Sequence, residues 1–118
     1  MPSEFDILRL LRATTYALAG LRDAFRSHVA VRQEVLIILV MSPVALWLGE
    51  NGVERALLIG VLFLILLTEL LNAAIETTVD RIGAEHHELS RKAKDMAAAA
   101  VLVSLVTAGI VWLLILLD

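Results

Sequence analysis

Four polar residues in one stretch, Glu69, Asn72, Glu76 and Asp80, are spaced three, four and four apart. At about 100° per residue this spacing gathers them into a narrow stripe on one face of a helix. The stripe opens inside an apolar run: Ala56–Leu67 continues through Thr68 to Glu76 and on to about Asp80, its second half turning polar along one face. With a rise of about 1.5 Å per residue, Glu69 lies about 10 Å deeper along the axis than Glu76. An acid that close to hydrocarbon costs on the order of several kcal/mol unless it is paired, solvated or protonated. Carboxylates at this density can hold a hard divalent ion, and Mg²⁺ typically takes one or two of them plus substrate phosphates. Glu85, His86, His87, Glu88, Lys94 and Asp95 follow. Cations beside acids fit a site that holds phosphates and metal together. A desolvated Glu69 suits a general base for a hydroxyl at the bilayer surface.

Each of these residues also has a plainer reading. The stripe could be structural, paired with Arg or Lys of another helix. The adjacent His86 and His87 point to different helix faces and read as exposed loop histidines, and His28 alone would be an interfacial histidine. No GxxxxGK[ST] motif occurs, and the six glycines form no phosphate-cradling loop. The spacing therefore indicates a metal-and-proton site near the membrane face and does not single out one reaction.

The elements that must position this site follow from composition and hydropathy. Of 118 residues, 59% are hydrophobic, and mean hydropathy is +0.84. A soluble domain usually has roughly 45–50% apolar residues, so the excess calls for lipid as a second solvent. The length allows one domain, residues 1–118. A net charge of −3 with no basic, aromatic-interleaved stripe argues against nucleic acid as a partner. The absence of cysteine excludes disulfides and thiolate chemistry. Charges throughout the first 34 residues leave no apolar core for a signal peptide, so the mature chain is expected to begin at or near Met1.

Three membrane helices are expected, at about 30–48, 54–80 and 94–117. Pro43 is tolerable inside the first, and Gly49-Glu50-Asn51-Gly52 marks the turn after it. Ala97–Ala100 would let backbones approach closely. Upstream, Phe5, Leu8, Leu11, Ala13, Tyr16, Leu18, Leu21 and Phe25 recur at helical spacing among Arg9, Arg12, Arg22 and Arg26. That pattern predicts an amphipathic interfacial helix over about 5–27. Basic residues crowd before the first span and between the second and third, while only Arg55 stands by the Gly49–Glu54 turn. The N-terminus and the connection between the second and third spans are therefore expected in the cytoplasm and the C-terminus outside. The fold class is an all-α membrane protein with three transmembrane helices and an interfacial helix.

Glu69-Leu70-Leu71-Asn72-Ala73-Ala74-Ile75-Glu76, then Val79-Asp80-Arg81-Ile82-Gly83, His87-Glu88-Leu89-Ser90 and Ala93-Lys94-Asp95-Met96, closely resemble the bacterial membrane-integral diacylglycerol kinase family. Gly20-Leu21-Arg22, Arg32-Gln33-Glu34 and Trp47-Leu48 match as well, so the resemblance spans nearly the whole chain. It implies ATP- and Mg²⁺-dependent phosphorylation of diacylglycerol to phosphatidic acid. It also implies a homotrimer in the inner membrane whose active sites are shared between subunits. Carried over by motif, Glu69 is the catalytic base and Glu76 holds the metal. Arg9, Tyr16, Glu76, Glu85, His86, His87, Lys94 and Asp95 bind the nucleotide, while Asn72 and Asp80 support the polar face. The lipid side takes Ala13 to Leu18, Arg22 to Phe25, Ala30 to Glu34, Trp47, Arg55 and Ala98.

Two positions depart from the family. His28 stands where a glutamate is the second metal ligand, and imidazole is a poorer ligand for Mg²⁺, so Mn²⁺ or Zn²⁺ could be preferred. Arg91 stands where glycine is common. Undecaprenol as the lipid alcohol is an alternative within the same chemistry. A small oligomeric transporter using Glu69 as its proton site is the alternative outside it.

Overall fold

In a computed structural model the chain is all-helical, and the structure describes residues 2–83 and 87–118, with side chains from Asp6 onward. Four helices follow one another: α1 (Pro2–Ser27), α2 (Val29–Leu48), α3 (Gly52–Ile82) and α4 (Glu88–Leu117). The last three are each long and apolar enough to cross a membrane. They expose many large apolar side chains, among them Leu39, Trp47, Leu67, Leu102 and Leu114, as helices facing lipid or other helices must.

The buried positions show which faces pair. On α2, Val31, Glu34, Ile38 and Ala45 are buried, a spacing of three, four and seven that marks one helix face. That face lies against α3. The α3–α4 seam is built from Val61, Ile65 and Ala108, with Val111 and Trp112 packed beside them. Ala97, Ser104 and Ala108 are the buried residues of α4, and their small side chains allow the close backbone approach that membrane helices need in place of a hydrophobic drive.

Three polar ties cross that seam. The Trp112 indole donates to the Leu58 carbonyl at 3.2 Å, and the Thr68 and Ser104 hydroxyls lie 2.9 Å apart. Near the far end, the Lys94 ammonium meets the Asp80 carboxylate at 2.8 Å.

The α2–α3 turn is fixed locally. The Asn51 side chain accepts from the Glu54 amide at 2.9 Å, and Glu54 reaches back to accept from the Glu50 amide at 2.9 Å. This is a variant of the reciprocal capping box, shifted one residue toward the N-terminus. Arg55 Nε donates to the carbonyls of Leu46 and Gly49, which the end of α2 would otherwise leave without partners.

The helix bounds differ from the sequence reading mainly at α4, which begins at Glu88 and not near residue 94. Hydropathy finds only the uncharged run. The preceding charges continue the helix because Arg91 pairs within it, with Glu88 one turn back and with Asp95 one turn on.

α1 stands apart. From Asp6 to Ser27 every residue but Ala24 is exposed. The molecule measures 48 × 47 × 24 Å. A helix of α3's length accounts for one of the two long dimensions, since its 31 residues extend roughly 46 Å. The second long dimension reflects α1 leaving the bundle sideways. One non-helical residue, His28, joins α1 to α2.

Candidate functional site

The acidic stripe is present on α3, and Glu69, Asn72 and Glu76 are half-buried while Asp80 is exposed. Asn72 Nδ2 donates to Glu76 Oε1 across one turn in a long bond of 3.4 Å. Glu76 Oε2 faces His28 Nδ1 at 3.9 Å. The α1–α2 joint thus brings His28 to Glu76. Asp80 continues the stripe outward to Lys94.

At the deeper end, Glu69 lies within electrostatic reach of Glu76 on its own helix, and Glu34 on α2 lies within reach of Glu69. Glu34 is 5% exposed, and its Oε1 has no hydrogen-bond partner; Asn72 Oδ1 is likewise buried and unpartnered. Buried oxygens rarely stay unpaired in a finished structure. Two such oxygens stand beside Glu69 among the described residues.

The residues for a divalent ion are fewer. Among the described residues no group of three His, Cys, Asp or Glu side chains is arranged to hold a metal. His28 and Glu76 supply two donors. That number fits an Mg²⁺-type ion that arrives with phosphates and keeps its remaining positions for them, rather than a closed protein cage.

Beside the stripe, α1 and α3 enclose an open groove of about 760 Å³. Ala17, Gly20, Leu21 and Ala24 line one wall, and Leu70, Ala73, Ala74 and Thr77 line the other. His28 lies at the vertex and belongs to both the groove and the Glu76 contact. The groove's residues are chiefly small and apolar, so it suits a chain or a glyceride body more than a charged group.

The other residues singled out from sequence lie elsewhere. Arg9, Ala13, Tyr16, Leu18, Arg22 and Phe25 are exposed on α1, and none of them lines the groove. Ala30 and Ala98 are exposed on α2 and α4, as is Asp95, whose carboxylate is held by Arg91. His87 is the N-cap of α4, its Nδ1 accepting from the Leu89 amide at 3.1 Å. Glu85 and His86 lie outside the described residues. Trp47 and Arg55 are not brought to the stripe: Arg55 precedes Glu76 by 21 residues on α3, roughly 30 Å along the axis. Its guanidinium is engaged at the α2 terminus, and Trp47 is exposed beside that same turn.

Ala17, Asp23 and Ala24 of the groove fall within the stretches expected on the lipid side, while sequence reasoning did not find Gly20, Leu21 or the α3 wall, the Thr68–Ser104 tie or the joint at His28. The one usable signal was Ala17, Gly20 and Ala24 recurring three and four apart on α1.

Comparison with known proteins bears on all of this. The family model described as prokaryotic diacylglycerol kinase matches residues 15–116. The chain is 51% identical to the diacylglycerol kinase of Pseudomonas aeruginosa, covering 99% of this chain and 98% of that one. It is 44% identical to the diacylglycerol kinase of Escherichia coli (92% and 88% covered) and 43% identical to that of Haemophilus influenzae (90% of each).

Proposed function

Because this chain belongs to the prokaryotic diacylglycerol kinase family and is a kinase of that family, we propose that it transfers the γ-phosphoryl group of ATP to the free hydroxyl of 1,2-diacylglycerol, giving phosphatidic acid and ADP, for phospholipid metabolism. The observation that carries the reading is Glu69. It is a carboxylate inside an apolar helix, with Glu76 two turns outward and unpartnered acceptors on either side. In the proposed step Glu69 takes the hydroxyl proton as the lipid oxygen attacks the γ-phosphorus, and the bond from that phosphorus to the ADP oxygen breaks.

The binding roles follow the arrangement. Glu76, with His28 beside it, would hold the divalent ion (Mg²⁺, or Mn²⁺ or Zn²⁺ with an imidazole in the set), which supplies charge neutralisation on the phosphates. Lys94, set by Asp80, and Asp95 would face the nucleotide together with Glu85, His86 and His87 of the α3–α4 connection and Arg9 and Tyr16 of α1. The α1–α3 groove would take the glyceride body. The many large apolar side chains exposed on α2, α3 and α4 suit cover by further helices as well as by lipid, and the reading includes a homotrimer with sites shared between subunits. The arginines of α1 and the cations around the α3–α4 connection support a cytoplasmic site and N-terminus at the bacterial inner membrane, with the C-terminus in the periplasm.

The test is ATP-dependent phosphorylation of diacylglycerol in mixed micelles, wild type against Glu69→Gln, across Mg²⁺, Mn²⁺ and Zn²⁺. Turnover is expected to fall by about 10²- to 10⁴-fold in the variant while the protein stays folded and oligomeric. Turnover retained by Glu69→Gln would remove Glu69 as the base. Phosphorylation of undecaprenol but not diacylglycerol would move the reading to the other alcohol.

A further inference from the structure

The groove has two walls that barely touch. α3 belongs to the bundle, but α1 is exposed along almost its whole described length, so packing does not set its angle. What remains is the joint. Its backbone contributes one bond from the His28 amide to the Ala24 carbonyl at 2.9 Å and another from the Arg32 amide to the His28 carbonyl at 3.3 Å. The joint residue itself is extended (φ −124°, ψ 116°) and caps nothing with its side chain.

The stiffening comes from Arg32. One terminal nitrogen of its guanidinium, Nη1, donates to the carbonyl of Phe25 at 2.9 Å and to that of Arg26 at 3.0 Å. Both carbonyls lie in the last turn of α1, where a helix leaves its acceptors without intrahelical partners. Arg32 sits in the first turn of α2. A single side chain on one helix therefore holds the end of the other, and the two N–H bonds diverge to successive carbonyls, which fixes direction as well as distance.

We infer that Arg32 is a positioning residue of the acceptor site: it sets the α1–α2 angle, and through it the width of the α1–α3 groove and the reach of His28 to Glu76. The inference rests on the proposed use of that groove for the glyceride. Arg32 falls within the Ala30 to Glu34 stretch that the family resemblance puts on the lipid side, but its Nη1 is taken up by the α1 carbonyls and it is absent from the groove lining. Loss of the fork leaves the two backbone bonds at His28 and the long His28–Glu76 contact to hold α1, so the wall formed by Ala17, Gly20 and Ala24 is held less firmly. The acceptor must then be bound against that freedom.

The chain has no cysteine, so one introduced cysteine labels one place. The experiment compares wild type, Arg32→Ala and Arg32→Lys in two measurements: KM for diacylglycerol and for ATP, and the line shape of a nitroxide on Arg12→Cys in substrate-free protein. In Arg32→Ala the KM for diacylglycerol is expected to rise roughly three- to tenfold, the worth of one or two net hydrogen bonds. The KM for ATP should rise by no more than this, since Arg9, Tyr16 and His28 move with α1, and the label should become more mobile. Lysine, which keeps N–H donors at slightly shorter reach, should recover most of both effects. A raised acceptor KM with an unchanged label would overturn the inference in favour of direct lipid contact. An unchanged acceptor KM would also overturn it. If the wild type does not phosphorylate diacylglycerol, the kinase reading falls, and the label comparison still decides whether Arg32 holds the joint.

Discussion

Thr68 precedes Glu69 directly, yet its hydroxyl turns to α4 while Glu69 faces α2, so the two should separate packing from chemistry. The Thr68 and Ser104 hydroxyls are 2.9 Å apart, Thr68 also lies 2.9 Å from the Ile65 carbonyl, and Ser104 lies 2.7 Å from the Val101 carbonyl. Two protons serve three contacts, so one hydroxyl donates across the seam and the other to its own helix. Replacing either partner, as in Thr68→Val or Ser104→Ala, lets the surviving hydroxyl turn its proton to its own carbonyl. Neither variant then leaves a buried donor unpaired, and neither opens a large cavity. Each single change should cost only the cross-seam bond, about 0.5–1 kcal/mol, and the double variant about the same, giving a coupling of about 0.5–1 kcal/mol. Reversible unfolding in mixed micelles titrated with sodium dodecyl sulfate measures the cycle, and turnover should stay within about twofold of wild type. A coupling near zero would mean the bond is not made. A coupling above about 2 kcal/mol, or a tenfold loss of turnover, would mean that a proton is stranded or that the hydroxyl serves Glu69.

Gly49→Ala should destabilise by about 1–3 kcal/mol, read in the same unfolding assay. The added Cβ would stand 2.5 Å from Arg55 Cγ and 3.1–3.2 Å from the Arg55 amide nitrogen and the Ala45 carbonyl oxygen, so the arginine could not keep its bonds to the end of α2. The cause is crowding and not backbone conformation, since Gly49 has φ −69°; pairing the change with Arg55→Ala should recover part of the loss. His28→Glu should raise the apparent affinity for Mg²⁺ about tenfold and reduce the advantage of Zn²⁺. Titrating the nucleotide-bound protein with each ion by calorimetry checks this, and an unchanged ion ranking would remove His28 from the metal's surroundings.

The parts of the molecule governed by short-range pattern were legible in the sequence. Uncharged runs gave the three spans, and the period of Glu69, Asn72, Glu76 and Asp80 gave the stripe because both depend only on neighbours along a helix. The start of α4 was less accessible: a charged segment reads as a wet linker unless the Glu88–Arg91–Asp95 pairs are seen as successive turns. Arg55 illustrates a second limit. By composition it is a lone cation at a membrane face, available for a lipid, and only the fold shows its guanidinium on the carbonyls of Leu46 and Gly49. The groove and the Arg32 fork depend on how α1 leaves the bundle, which one extended residue determines and no periodicity records.

The three polar ties along the α3–α4 seam have a consequence for how the enzyme measures its substrates. The paired residues are Leu58 with Trp112, Thr68 with Ser104 and Asp80 with Lys94, in antiparallel order and spread over 22 residues of α3. Apolar helices can slide past one another at little cost, since one leucine replaces the next, but a slip of one turn, about 5.4 Å, would break all three ties at once. The seam is therefore a ruler of fixed length. It holds Glu69 at a constant depth, roughly 16 Å along α3 below the Asp80–Lys94 pair. On the proposed reading, a lipid alcohol would have to bring its hydroxyl to that depth, because the bundle itself does not slide to meet head groups of different height.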